Sequence, residues 1–193
     1  MILYLHGFRS SPASFKAQTM GQHLAKLGRA DEYLCPQLPA SPLLAITMLE
    51  GLMHTTPAHE ITLIGSSLGG YYANYLAEKL GCKAILLNPA VQVPRELAKY
   101  VGVTTAYHSD AVFEFKQEHV AELEAYSVAA ITRPERYFLL AATGDEVLDW
   151  RDMVAHYPAA KQVVIQGSDH GMADFTDYLD QIMAFICLEQ NAD

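Results

Sequence analysis

One short motif restricts the fold of this chain more than any other feature of its sequence. Residues 65–69 read G-S-S-L-G, a G-x-S-x-G motif, between an apolar run at residues 61–64 and a helical pattern at residues 70–80. A strand, a tight turn and a helix in this order expose the middle serine above the end of a parallel sheet. The motif therefore predicts a nucleophilic serine, Ser67.

A nucleophilic serine needs a general base and an acid that orients the base, and the sequence supplies both in the expected chain order. Asp145 follows one late apolar run, and His170 follows the next. We predict that Ser67, Asp145 and His170 form a catalytic triad. Asp149 is the alternative acid, although its position favours the start of the following helix. Taken alone, His170 is an ordinary loop histidine.

The oxyanion of an acyl-transfer intermediate needs backbone N–H donors. In this arrangement one donor belongs to the residue after the nucleophile, Leu68, and the other lies in the loop after the first strand. That loop begins His6-Gly7-Phe8, and we predict the Phe8 amide as the second donor. Gly7 allows the chain to approach the substrate. His6 precedes glycine at a strand end, which favours a structural role in shaping the loop.

Three positions are candidates for substrate binding. They are Gly7 and Arg9 in the first loop and Tyr71 just after the motif. Arg9 is suited to an anionic group such as a phosphate, although a solvated arginine is the commoner case. Tyr71 and its neighbour Tyr72 are predicted to form core and pocket wall.

Alternating strand and helix patterns define the fold class. Short strand-like runs recur at residues 2–6, weakly at 32–35, and at 61–65, 84–88, 137–142 and 162–166, and most are continuously apolar, as in strands covered on both faces. Apolar residues at spacings of three and four lie between these runs and predict helices. We therefore predict an α/β fold with a doubly wound, mostly parallel sheet of about six strands.

Helix boundaries carry recognisable signals. Ser11-Pro12 and Ser41-Pro42 each place a capping hydroxyl before a proline at the predicted first helical position. Gly28 and Gly81 follow the last apolar residues of their helices, where glycine commonly ends a helix.

Residues 89–135 interrupt the alternation. They contain no convincing strand and only two helix candidates, at residues 94–101 and 117–126. Connections of this length are usually lids or binding loops. We predict a single domain over residues 1–193, with residues 89–135 as a small helical cap insertion above Ser67. A variable surface excursion is the alternative interpretation.

Composition disfavours several classes of partner. The chain has 193 residues and a net charge of −9, which disfavours nucleic acid and anionic membrane surfaces. Its three cysteines are widely spaced and no metal-ligand motif is present, so we expect no disulfide, metal or cofactor. The N-terminus is unlike a signal peptide and no apolar stretch reaches membrane length, so the sequence predicts a cytoplasmic protein.

Segments along the whole chain resemble the YqiA-type small bacterial esterases. The resemblance rests on residues 4–8, 10–12, 36–39, 65–73, 88–90 and 143–149, which read YLHGF, SSP, PQLP, GSSLGGYYA, NPA and TGDEVLD. It implies a minimal α/β-hydrolase that acts on acyl esters or acyl-coenzyme A thioesters through Ser67, Asp145 and His170. Arg9 stands where that family is expected to have asparagine.

Two other functions are compatible with the same residues. Because a fold does not fix its chemistry, the scaffold also suits a carbon–carbon lyase or a cofactor-free elimination. The third hypothesis is a non-catalytic module that binds a small ligand under residues 89–135. An essential serine without an acyl-enzyme would favour the lyase, and inertness toward serine-directed phosphonates would favour the binding module.

Overall fold

Strands and helices alternate along most of the chain. The computed structural model describes residues 1–105 and 112–188, except for the side chains at positions 95, 96 and 104. In chain order the elements are β1 (Ile2–Leu5), α1 (Phe15–Lys26), β2 (Tyr33–Leu34), α2 (Pro42–Met53), β3 (Thr62–Ser66), α3 (Leu68–Leu80), β4 (Lys83–Leu87), α4 (Val93–Leu97), β5 (Gly102–Thr105), β6 (Val112–Phe115), α5 (Gln117–Glu124), β7 (Tyr137–Ala142), α6 (Trp150–His156), β8 (Lys161–Ile165) and α7 (Leu179–Cys187).

Six strands form one parallel sheet in the order β2-β1-β3-β4-β7-β8. The predicted α/β fold with a six-stranded sheet is confirmed. Leu5 at the end of β1 pairs in register with Gly65 in β3, so the loop after β1 begins beside the G-x-S-x-G turn. Because the carboxyl ends of parallel strands share one edge, the loops after β1, β3, β4, β7 and β8 meet there.

The strands are apolar because both faces of the sheet are covered. Every residue of β1, β3, β4 and β7 is buried. Alternate residues enter two separate cores: Leu3 packs with residues of α2 and α3, whereas Ile2 packs with residues of α1 and α7. Side chains of a strand point alternately to its two faces, which explains the continuous apolar runs.

One predicted helix start is confirmed and the other is wrong. Ser41 caps α2, with its hydroxyl accepting a hydrogen bond from the Leu44 N–H at 3.2 Å. Ser11-Pro12 does not begin α1, which starts at Phe15. The Ser11 hydroxyl instead accepts from the Ala13 N–H at 3.2 Å, so Ser11-Pro12 forms a turn before the helix.

Glycine ends α1 and α3 as predicted. Gly28 has a φ of 73° and Gly81 a φ of 80°, both in the left-handed region. The Gly81 N–H donates to Ala77 O at 2.8 Å and so satisfies one of the terminal carbonyls of α3.

The predicted insertion contains two strands that the sequence analysis missed. β5 and β6 pair as an antiparallel ribbon, between the short helix α4 and the helix α5. One face of the ribbon is exposed, with Val103 and Val112 at 71% and 76% exposure. The ribbon strands therefore lack the continuous apolar pattern of strands that are buried on both faces. Both predicted helix regions are present, and residues 106–111 lie outside the described residues. No helix in the described part of the chain is long and apolar enough to cross a membrane.

Candidate active site

Ser67 lies in the sharp turn between β3 and α3. Its backbone has φ 55° and ψ −120°, a conformation that residues with a Cβ atom rarely adopt. The turn is held by backbone hydrogen bonds: the Ser67 N–H donates to Leu87 O at 3.1 Å, and Ser67 O accepts from the N–H groups of Gly70 and Ala90 at 2.9 and 3.1 Å. The surrounding structure therefore maintains the strained turn.

Close backbone contacts require two glycines of the motif. A Cβ atom at Gly65 would lie 2.3 Å from Gly69 O, and one at Gly69 would lie 2.0 Å from Leu5 O. Both separations are far below a van der Waals contact, and backbone oxygens have little freedom to move. The spacing of the motif thus reflects the packing of α3 against β1 and β3.

Asp145 and His170 form a hydrogen-bonded pair. His170 Nδ1 lies 2.7 Å from Asp145 Oδ2. The Asp145 side chain has no solvent exposure, whereas the His170 side chain is 22% exposed. Asp145 Oδ1 accepts from the N–H groups of Val147 and Leu148, each at 2.8 Å. These donors fix the carboxylate, and the carboxylate in turn orients the imidazole.

The serine turn and the histidine loop are both attached to the end of β4. The Ser67 N–H donates to Leu87 O, the last residue of the strand. The next residue, Asn88, donates from Nδ2 to the backbone oxygens of Asp169 and His170 at 3.1 and 3.3 Å. The structure thus brings all three predicted triad residues to the same edge of the sheet.

The loop after β1 contacts Ser67. A Cβ atom at Gly7 would lie 3.3 Å from Ser67 Cβ and 3.8 Å from Ser67 Oγ, so the loop passes directly beside the hydroxyl. Leu68 is the first residue of α3, and its N–H has no acceptor within the helix. Phe8 follows Gly7, so the segments that carry both predicted oxyanion donors lie beside Ser67.

His6 shapes this loop, as its position predicts. It is buried, and its Nδ1 lies 3.0 Å from Gly7 O while its Nε2 accepts from the Leu38 N–H at 3.0 Å. Burial lowers the pKa of His6, in spite of the hydrogen bond to Gly7. Both ring nitrogens therefore serve the backbone.

Two buried polar residues behind the Asp145–His170 pair are absent from the predicted site. Lys16 in α1 donates from Nζ to His170 O at 3.1 Å, and Asn88 Oδ1 accepts from the backbone of β7. Burial lowers the pKa of Lys16 to about 8, against the raising effect of the Asp145 and Asp169 carboxylates. The signals in the sequence are a lysine beside an apolar helix stripe and an asparagine directly after an apolar strand.

The ribbon covers the first loop. The Phe8 ring packs edge to face on Phe113 and Phe115, with ring centres 5.1 Å apart in both pairs. Arg9, which has a φ of 59°, donates from Nε to Thr105 O at 2.6 Å. The loop with the predicted Phe8 donor is therefore attached to β5 and β6. A contact between Arg9 and substrate stays a prediction.

Helix α5 is attached to the main fold on two sides. The Tyr71 hydroxyl donates to Leu123 O at 2.7 Å, which connects α5 to α3. The Glu122 carboxylate accepts from the Ser41 hydroxyl at 2.8 Å and from the Leu43 N–H at 2.9 Å, which connects it to α2. The Tyr71 hydroxyl is thus used within the protein, and its predicted role in substrate binding is untested.

A small cavity adjoins the serine turn. Its volume of about 10 Å³ leaves room for about one water molecule, and Phe8, Leu68, Tyr72 and Phe113 contribute to its wall. Gly7 and Arg9 also line it, but Tyr71 does not. A larger cleft of about 370 Å³ lies between α1 and β2, and none of the predicted site residues lines it. Ser67, Asp145 and His170 do not line the smaller cavity, and we assign it to the site because Leu68 and Phe8, which carry the predicted oxyanion donors, do.

Solved structures of the same architecture define the class of fold. Alpha/beta hydrolase domain-containing protein 10 from mouse matches with a TM-score of 0.71 and 19% identity, over 96% of this chain and 88% of that chain. A variant of tomato methylketone synthase I, solved with beta-ketoheptanoate, matches with a TM-score of 0.69 and 14% identity over 96% of each chain. Est1E from Butyrivibrio proteoclasticus, solved with ferulic acid, matches with a TM-score of 0.67 and 16% identity, over 96% of this chain and 85% of that chain. The protein has an α/β-hydrolase fold.

The sequence identifies the family within that class. The model of a family described as "Uncharacterised protein family (UPF0227)" matches residues 1–187. The chain belongs to UPF0227, the YqiA-type family, which confirms the resemblance seen in its motifs. The low identities to the solved structures establish the fold alone, because one fold supports many reactions.

Proposed function

We propose that the protein is a serine esterase that hydrolyses carboxylic esters through an acyl-enzyme. The observation that carries this proposal is the 2.7 Å contact between His170 and the fully buried Asp145, at the same sheet edge as the strained Ser67 turn. A carboxylate that accepts from Nδ1–H leaves Nε2 of the imidazole as a proton acceptor.

The proposed reaction has two acyl-transfer steps. His170 Nε2 takes the Ser67 proton as Oγ attacks the ester carbonyl, and Asp145 stabilises the imidazolium. The backbone N–H groups of Leu68 and Phe8 donate to the oxyanion. The imidazolium then protonates the leaving alcohol or thiol. Water attacks the acyl-serine with His170 as base, which releases the acid and restores the serine.

We place the acyl group in the cavity beside Leu68. Its volume of about 10 Å³ holds roughly one water, so an acyl chain that enters it must displace the Phe8 or Phe113 ring. The family resemblance implies that both oxygen esters and acyl-coenzyme A thioesters are substrates to be tested. Est1E binds ferulic acid in its solved structure, which adds methyl ferulate to the panel.

The first experiment compares wild-type protein with Ser67→Ala on p-nitrophenyl esters from acetate to palmitate and on acyl-coenzyme A thioesters. We expect the substitution to lower the rate at least about a thousandfold. The control is Thr55→Ala, which removes an exposed hydroxyl in the turn after α2. A Ser67→Ala rate equal to that of wild type would contradict the proposal.

Covalent capture separates the esterase from the alternatives. Intact-mass spectrometry after a fluorophosphonate should show one adduct on wild-type protein and none on Ser67→Ala. Acyl-enzyme from a slow ester should also be trapped by acid quench. A carbon–carbon lyase at this site would give no trapped acyl-enzyme, and a binding module would not react with the phosphonate.

A further inference from the structure

Lys16 occupies an unfavourable place for a lysine. It lies in the first turn of α1, where the helix dipole opposes a positive charge, and that turn contains no acidic residue. The residue is only 8% exposed, and burial of a cation opposes folding unless other groups compensate. Departures from local rules of this kind are expected at functional sites.

The Lys16 ammonium contacts the triad loop directly. Its Nζ donates to the backbone oxygen of His170 at 3.1 Å. Asn88 donates to the same oxygen at 3.3 Å from the end of β4, and its Oδ1 accepts from the Ala142 N–H at 2.8 Å. The histidine backbone is therefore held from α1 on one side and from the sheet on the other.

Charge distinguishes Lys16 from Asn88. The titratable groups that face Lys16 are Asp145 after β7 and Asp169 and His170 after β8. The Asp145 side chain has no solvent exposure, so its negative charge needs a nearby compensating charge. Glu146 is exposed and accepts from the His170 N–H at 3.1 Å, which adds negative charge to the same loop.

We propose that Lys16 is a positioning residue of the triad: it holds the His170 backbone from α1 and balances the buried negative charge of Asp145. The inference rests on the proposed function, because it assigns Lys16 a role in orienting the catalytic base. Asn88 shares the positional role, and the positive charge is the contribution of Lys16 alone. Because like charges repel, removal of that charge should favour a proton on the base, which a variant can test.

Lys16→Met tests this role, with Lys83→Met as the matched control. Lys83 is also buried, and its Nζ donates to the backbone oxygens of Phe185 and Ile186, but it begins β4 at the end opposite to the triad. The kcat and KM of both variants are measured across pH with a soluble p-nitrophenyl ester.

The two variants should differ in their pH profiles. Lys16→Met should lower kcat about tenfold or more with little change in KM, because the base is misplaced. Its acidic limb of kcat/KM should move up by about 1 pH unit, because loss of the positive charge favours protonated His170. Lys83→Met should keep the wild-type kcat and acidic limb even if it is less stable.

Two further variants keep the test decisive. Lys16→Gln retains an N–H donor without the charge and should give the same limb shift, which also covers the case in which Lys16→Met does not fold. Lys16→Arg retains the charge and should keep the acidic limb of kcat/KM at the wild-type pH. An unshifted limb in the neutral variants overturns the inference, while loss of activity in Ser67→Ala still supports the esterase. A wild-type rate in Ser67→Ala overturns the esterase itself.

Discussion

Asp145 Oδ2 lies 2.7 Å from His170 Nδ1, and Asp145 Oδ1 accepts two backbone N–H groups. Asp145→Asn keeps this shape but offers an N–H where the imidazole needs an acceptor, so the wrong tautomer is favoured. We expect kcat to fall about 10³- to 10⁴-fold on the pattern of other triads. Steady-state kinetics on a p-nitrophenyl ester measure this fall.

Asp149→Asn is the control for the acid. Asp149 caps α6, where its Oδ1 accepts from the Arg151 N–H at 2.9 Å, and asparagine caps helices about as well as aspartate. Activity and stability should therefore stay near wild type. A larger loss of kcat in Asp149→Asn than in Asp145→Asn would show that Asp149, and not Asp145, is the acid of the triad.

Gly69→Ala should abolish folding or activity. The added Cβ would lie 2.0 Å from Leu5 O, so β1 and α3 must separate at the serine turn. We expect the free energy of unfolding to fall by ~3 kcal/mol or more, which is the cost of severe overpacking in a core. Thermal unfolding and phosphonate labelling report the two effects.

Gly51→Ala, in another helix, should give the opposite result. Gly51 lies within α2, and a Cβ there meets nothing within 4 Å. Alanine is more favourable than glycine in a helix by about 1 kcal/mol, so the variant should unfold at a higher temperature with unchanged activity. Equal behaviour of the two glycine variants would disprove the close-packing explanation of the motif.

Phe113→Ala should shift acyl preference toward longer chains. The Phe113 ring forms part of the wall of the cavity beside Leu68, which has a volume of only about 10 Å³. Its removal makes space for additional methylenes, and we expect kcat/KM for longer p-nitrophenyl esters to rise about tenfold relative to acetate. Val112→Ala, at a neighbouring position that is 76% exposed, should keep the wild-type profile. The same chain-length profile in both variants would exclude Phe113 from the acyl pocket.

Because of Lys16, the stability of the protein should change with pH in the alkaline range. Burial lowers its pKa from 10.5 to about 8, so between these values the unfolded chain binds more protons than the folded protein. The free energy of unfolding of wild type, relative to Lys16→Met, should therefore rise by up to about 3 kcal/mol from pH 8 to pH 10.5. Urea unfolding of both proteins at these pH values measures the difference. A free energy of unfolding that falls with rising pH, relative to Lys16→Met, would contradict the lowered pKa of Lys16.

The sheet and the positions of Asp145 and His170 follow from simple regularities in the sequence. Strands buried on both faces are continuously apolar, and parallel strands bring their carboxyl ends to one edge. Residues that follow separate strands therefore meet, although they lie far apart in the chain. The glycine spacing around Ser67 was informative because it reflects backbone contacts that no other residue permits.

Features that depend on tertiary contacts were not predictable in the same way. The ribbon of β5 and β6 forms around Phe8, which lies about a hundred residues earlier in the chain, and its outer valines are exposed. Lys16 resembles an ordinary polar residue beside a helix stripe until the fold brings His170 O to within 3.1 Å. Ser11-Pro12 has the composition of a helix start, but local hydrogen bonds make it a turn.

Phe8 has two roles, one for its backbone and one for its side chain. In the proposed mechanism its N–H stabilises the oxyanion, while its ring packs on Phe113 and Phe115. Any residue other than proline supplies the same N–H, so the ring can be exchanged while the donor remains. In the proposed mechanism, a substitution at position 8 therefore changes the wall of the cavity while the backbone donor is kept.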